Sequence, residues 1–138
     1  MLPLNPDFST YQDFPRPLKL FATYKMRAFG YWWGALGHNV INNVRGDILT
    51  LDFCFDGIPR NGIICIGTVA SGLRKKNNQE QFELWFKQMI EVLIPQTIIV
   101  YGSSNYKCFK KAKAIGIKII TFPSKTSQAF ENRKRREK

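Results

Sequence analysis

"GIICIGTVASGLRKKNNQEQFELWFKQMIEVLIPQTIIVYG", residues 62–102, carries the pattern that decides the fold. Its first eight residues form an apolar, β-branched run, which gives way to the small residues Ala70, Ser71 and Gly72. From 78 to 93, Phe82, Trp85, Phe86, Met89, Ile90 and Leu93 recur at helical spacing, with charges between them. Asn78 is placed to cap that helix, with Gln81 three residues on as a weak capping-box partner. Pro95 bars its continuation. "TIIVYG" (97–102) then reads as a second apolar strand. Two continuous apolar strands around a helix, with no in–out alternation, predict parallel pairing.

Downstream, "NYKCFKKAKAIG" (105–116) reads as a short basic helix that stops at Gly116, and "IKIITF" (117–122) as a third strand closed by Pro123. Burial is expected for Ile64, Ile66, Ile98, Val100, Ile117 and Ile119. Right-handed crossovers bring the loops "GTVASG", "YGSSN" and "FPSK" to one edge of the sheet, where open α/β sheets bind ligands. Upstream, a short strand is expected in "PLNPDFST" and a helix over 15–37 from Pro17. That helix carries Leu18, Phe21, Ala22, Phe29, Trp32, Trp33 and Leu36 on one stripe. "NVINNV" (39–44) reads as a strand and Gly46–Asp47 as a turn. The whole predicts one three-layer α/β domain over residues 1–124, with a mostly parallel sheet of four to five strands and helices on both faces. Residues 125–138 are expected to form a basic tail that begins helical and frays into a partly disordered end.

The chain has 138 residues, enough for one domain with a real core. No apolar stretch approaches the ~20 residues of a membrane span, and "MLPLNPDF" lacks the pattern of a signal peptide. The three cysteines, odd in number and far apart, argue against a disulfide framework and suit a reduced cytosol. A bacterial cytoplasm is the expected location. With one histidine and no CxxC, a Cys/His zinc site is disfavoured. The formal charge of +11 is unevenly spread. Residues 1–72 hold six Lys/Arg against five Asp/Glu, whereas residues 73–138 hold fifteen against five. Such asymmetry points to a polyanionic partner, nucleic acid first.

"TYKMRAFGYWWGALGHNVINNV" and "DFCFDGIP" carry a resemblance. Tyr24-Lys25-Met26-Arg27 is similar to a YRNR motif on a helix, and Phe55-Asp56-Gly57 to an FDG motif, of an uncharacterised bacterial and phage domain family. "PDFSTY", "GTVASG" and "TIIVYGSSN" extend the similarity from Pro6 to Pro123. Compared with that family, the segment ahead of "PDFS" is short and the Val44–Asp52 connection is trimmed. The resemblance implies a phage or mobile-element origin and carries no activity.

Four groups of residues are candidates for function. Extended, residues 51–56 would put Asp52 and Asp56 on one face, where two carboxylates suit Mg²⁺. The competing and favoured account is a turn at Asp56-Gly57, stiffened by Pro59. Arg27 and Tyr24 share a helix surface, from which Arg27 can pair with Asp56 or clamp a phosphate. His38 is placed as a general base, although no nucleophile has an evident base beside it. Tyr31, Trp32 and Trp33 offer a ring for base stacking, with core packing the better expectation. The loop residues Gly67, Ser71, Gly102 and Ser103, ahead of helix starts, suit an anion.

The leading expectation is nucleic-acid binding by Arg74, Lys75, Lys76, Lys107, Lys110, Lys111 and Lys113 through phosphates. The rival is a small α/β enzyme or a nucleotide-binding counter-defence protein working at the strand ends. An acidic protein is a third partner class.

Overall fold

A computed structural model describes residues 3–69 and 71–136. Eight elements follow one another: α1 (Arg16–Ala35), β1 (Asn42–Asn43), β2 (Ile63–Gly67), α2 (Lys76–Leu93), β3 (Thr97–Tyr101), α3 (Lys107–Ala114), β4 (Lys118–Phe122) and α4 (Lys125–Arg136). The strands form one sheet in the order β1-β2-β3-β4, and every pairing is parallel. Ile64 stands beside Ile98, which stands beside Ile119. A bridge from Leu4 to Ile41 extends the sheet beyond β1 as a single parallel contact. The chain is thus a single α/β domain on a parallel sheet, as its apolar strands predict.

The helices depart from the expected division between both faces. With strands in sequential order, each right-handed crossover steps the same way and lays its helix on the same side. Side chains agree. Ile64, Ile66, Ile98 and Val100 meet Trp85, Phe86, Met89 and Leu93 of α2 and Cys108, Phe109 and Ala112 of α3 in one core. Phe86 and Phe109 pack edge-to-face at 5.0 Å. Asn42, in register with Ile64, reaches Gly30 of α1 on that same side. Ile117 and Ile119 pack against this core while staying half-buried, since β4 is the outer strand.

Two local expectations are corrected. Helix α2 begins at Lys76, so Asn78 lies inside its first turn and donates its amide to the Gly72 carbonyl at 3.0 Å. Its far end is as expected, with Ile94 in the left-handed region ahead of Pro95. Helix α1 buries Lys19, Ala22, Thr23 and Met26 and turns most of the expected apolar stripe outward. Tyr31 is 81% exposed and Trp32 55%, so these two rings are not core. Polar contacts dictate the orientation. Lys19 Nζ lies 2.8 Å from Asp47 Oδ2 and donates to the Gln12 carbonyl at 3.0 Å. These demands hold the Lys19–Met26 side inward.

The three cysteines are free and buried. Burial pushes the thiols of Cys65 and Cys108 up to about 11, leaving them protonated and inert at neutral pH. Ser124 caps α4, its hydroxyl accepting from Ser127 N at 3.2 Å. Beyond that cap, α4 packs against no other helix or strand among the described residues and buries none of its side chains.

Candidate functional site

Arg27 links the two family-like motifs, through the backbone. Its Nε donates to the Asp56 carbonyl at 2.7 Å, Nη2 to the Cys54 carbonyl at 2.9 Å and Nη1 to the Asn43 carbonyl at 3.5 Å. The fork of donors on a planar guanidinium suits three carbonyls arranged around it. Burial pushes the group down to about 10, which leaves it charged at neutral pH. Gly57 completes the joint. Its φ of +73° favours glycine, and a Cβ there would lie 3.4 Å from Arg27 Cδ. The expected packing of the FDG turn on α1 is therefore present, with carbonyls where a carboxylate partner was expected. Tyr24, one turn before Arg27, is exposed and stacks on Phe21.

The acids do not assemble a site. Residues 51–57 are a run of turns, so Asp52, Cys54 and Asp56 do not alternate along a strand. Arg16 takes Asp52 in an exposed ion pair and holds its carboxyl below the usual range. The same guanidinium lies 5.1 Å from the Phe53 ring. The Asp56 carboxylate points to solvent and accepts no hydrogen bond among the described residues. His38 is exposed just past the end of α1, ahead of β1 and so at the amino edge of the sheet. Among the described residues, no group of three or more His, Cys, Asp or Glu is placed to hold a metal.

The opposite edge collects the loops, as the crossovers require. Thr68 Oγ1 donates to the Ser103 carbonyl at 2.8 Å, stitching "GTVASG" to "YGSSN". Gly102, at φ +118°, leaves that hydroxyl the room a Cβ would take. Ser71 Oγ donates to the Thr68 carbonyl at 2.6 Å. Beside these loops lies a cleft of about 180 Å³, lined among others by Gly67, Ser71, Gln12, Asp47, Gln81 and Trp85. Gln12 Nε2 donates to Gln81 Oε1 at 3.0 Å. Among the described residues, the buried Trp85 indole N–H finds beside it only the Cys54 thiol, a weak acceptor. Of the expected loop residues, Gly67 and Ser71 line this cleft, while Tyr24, Gly102 and Ser103 do not. Gln12, Gln81 and Trp85 were missed. One signal was present: the segment after the Leu4 bridge also ends at this edge, so "TYQ" (10–12) belongs there.

The seven expected phosphate-binding side chains are all exposed: Arg74 to Lys76 at the start of α2, and Lys107, Lys110, Lys111 and Lys113 on α3. The ion pairs among the described residues are Arg16–Asp52, Lys19–Asp47, Arg45–Asp7 and Lys87–Glu91, and none of the seven takes part. Helix α4 adds Arg133 to Arg136 in its last turn. No helix of the described residues is long and apolar enough to cross a membrane.

Residues 2–123 match a family described as a domain of unknown function, DUF4417. The "Gene 1 protein" of Mycobacterium phage L5 is 35% identical over 105 residues, covering 75% of this chain and 45% of that protein. The "Gene 1 protein" of Mycobacterium phage D29 is 31% identical over 105 residues, covering 75% of this chain and 38% of that protein. The chain thus spans less than half the length of these phage relatives. No solved structure matches it. With the family match running over nearly all of the α/β domain, the chain belongs to the DUF4417 family, a domain also found in phage proteins.

Proposed function

We propose that this domain binds nucleic acid by phosphate contacts through the basic surface of its C-terminal half. What carries the proposal is the set of seven exposed cations, Arg74 and Lys75 just ahead of α2, Lys76 at its start and four lysines on α3. None of them is in an ion pair with a carboxylate of the described residues. Cations left without carboxylate partners keep their charge for an external polyanion, and lysines on phosphates hold without reading bases. The phage relatives fit such a role without specifying it.

The test is a DNA and RNA titration at two salt concentrations. Affinity should fall with a log–log slope of about −0.7 to −0.9 per phosphate contacted. Reversing Lys107, Lys110, Lys111 and Lys113 should flatten that slope and weaken all sequences alike. Removing residues 132–138 should weaken binding less. Absence of binding at low salt sinks the proposal.

A second reading has its own observation, the cleft with its Trp85 N–H, weakly satisfied by the Cys54 thiol, and the Gln12–Gln81 amide pair. These groups suit the edge of a small planar polar ligand such as a nucleobase, with Arg74 to Lys76 nearby at the start of α2 for its phosphates. Nucleoside phosphates that raise the melting temperature of the wild type but not of a Gln81→Leu variant would favour this second role.

A further inference from the structure

With α1, α2 and α3 all on one side, the other side of the sheet lacks a helical cover. Strand alternation assigns to it Ile63 and the buried Cys65 of β2, the half-buried Ile99 and the exposed Tyr101 of β3, and the half-buried Ile120 and the exposed Phe122 of β4. Ile63 is 44% exposed, Tyr101 40% and Phe122 53%. Tyr101 and Phe122 are register partners on adjacent strands, so their backbones lie about 4.8 Å apart. Among the described residues no ring contact joins them, and each ring is partly exposed to solvent. Two exposed aromatics side by side on an open sheet are what base stacking uses, since every base has a π-face and the preference is sequence-tolerant.

Positive charge frames this face and indicates its occupant. Lys118 stands exposed on the same side of β4, about 13 Å from Phe122 along the strand. At the other end, the Lys125 backbone N–H donates to the Tyr101 hydroxyl at 3.4 Å. The basic helix α4 therefore starts at the aromatic pair, and its side chains stay exposed. An apolar protein partner would satisfy the isoleucines and leave these cations idle. A duplex hides its base faces within the stack. A single strand supplies bases for the rings and phosphates for the cations together.

We propose that the uncovered sheet face is a stacking platform for single-stranded nucleic acid. Tyr101 and Phe122 each take a base, and Lys118 and α4 hold the flanking phosphates. The proposal rests on the nucleic-acid reading above and adds strand type and contacting rings to it.

The experiment titrates an oligothymidylate of about 16 nucleotides, a large site for one small domain, and a duplex of the same length. Wild type is compared with a Tyr101→Leu, Phe122→Leu double variant and with the α3 charge-reversal variant. Leucine keeps the face apolar, and a thermal melt confirms folding. The single strand should bind tighter than the duplex in the wild type. Loss of the rings should weaken single-strand binding about 5- to 150-fold per stacked base, leaving duplex binding and the salt slope unchanged. Charge reversal should flatten the slope and keep the single-strand preference. Equal binding of strand and duplex, or a leucine variant that binds like wild type, overturns the platform while the phosphate reading survives. No binding of any form at low salt overturns both.

Discussion

Residues 62–122 and the segment carrying α1 and the 47–57 turns meet the same side of one sheet. The first does so by apolar burial, the second by apolar burial through Cys54, Phe55 and Ile58 with polar contacts added. In the first, Ile64, Ile66, Ile98 and Val100 press against Trp85, Met89 and Phe109, and apolar burial does the joining. In the second, Arg27 grips three backbone carbonyls, and the buried ammonium of Lys19 sits on Asp47. The difference follows from backbone type. Strands satisfy their own N–H and C=O groups in the ladder and need only apolar neighbours. The turns after β1 have no ladder, so their carbonyls require a donor brought from elsewhere. Arg27 is that donor.

The largest expected effect belongs to the apolar half. Phe109 is fully buried against Phe86, and Phe109→Ala should destabilise the domain by about 3–5 kcal/mol. Urea unfolding measures it. A loss below about 1 kcal/mol would mean that α3 is not part of the cooperative core.

Next comes the clamp. Arg27→Met keeps the apolar stem and removes all donors, orphaning the carbonyls of Cys54, Asp56 and Asn43. The expected loss is about 2–3 kcal/mol, tempered by water that reaches the exposed turn. Arg27→Lys restores charge with a single ammonium that cannot span three carbonyls, and it should recover only part of the loss. A lysine variant as stable as wild type would show that charge alone mattered. Gly57→Ala should cost about 1–2 kcal/mol, from the left-handed backbone and the approach to Arg27. Combined with Arg27→Met, its effect should shrink, because a turn no longer held by the guanidinium can shift away from the stem that remains. Full additivity would separate the turn from the clamp.

These two regions also differ in how far the sequence reveals them. The strands of the C-terminal half declare themselves because burial is their only requirement, and Ile98 or Val100 has no other use. The extent of α1 is equally plain. Its orientation is not, because hydrophobic periodicity tracks Phe21, Trp32 and Leu36, while the inward side is set by Lys19, Thr23 and Arg27. A polar inward face leaves no periodic trace unless its partners are known. Gly57 and Pro59 announce the FDG turn, yet nothing in the sequence tells whether Arg27 meets the Asp56 carboxylate or its carbonyl. The open sheet face escaped notice because Ile99, Ile120 and Phe122 have the composition of core residues. Only the sequential strand order, which puts every crossover on one side, exposes them.

The smallest effect is expected where the acids looked most chemical. Asp52 and Asp56 lie in the polar-joined region, but their side chains add to the joint only from its exposed surface. Asp52 holds Arg16 at the surface, where solvent screens the pair. Asp56 contributes its carbonyl to Arg27 and leaves its carboxylate in water. A double Asp52→Asn, Asp56→Asn variant preserves both backbones and should therefore melt at the wild-type temperature. Its nucleic-acid affinity should be equal or slightly higher, since two negative charges are gone from a protein that binds phosphates. Magnesium should shift the melting temperature of wild type and variant alike, because no cluster of carboxylates singles these two out. A wild-type stabilisation by magnesium that vanishes in the double variant would restore a metal role to the pair. It would also show that the 51–57 turns can bring the two carboxylates onto one ion.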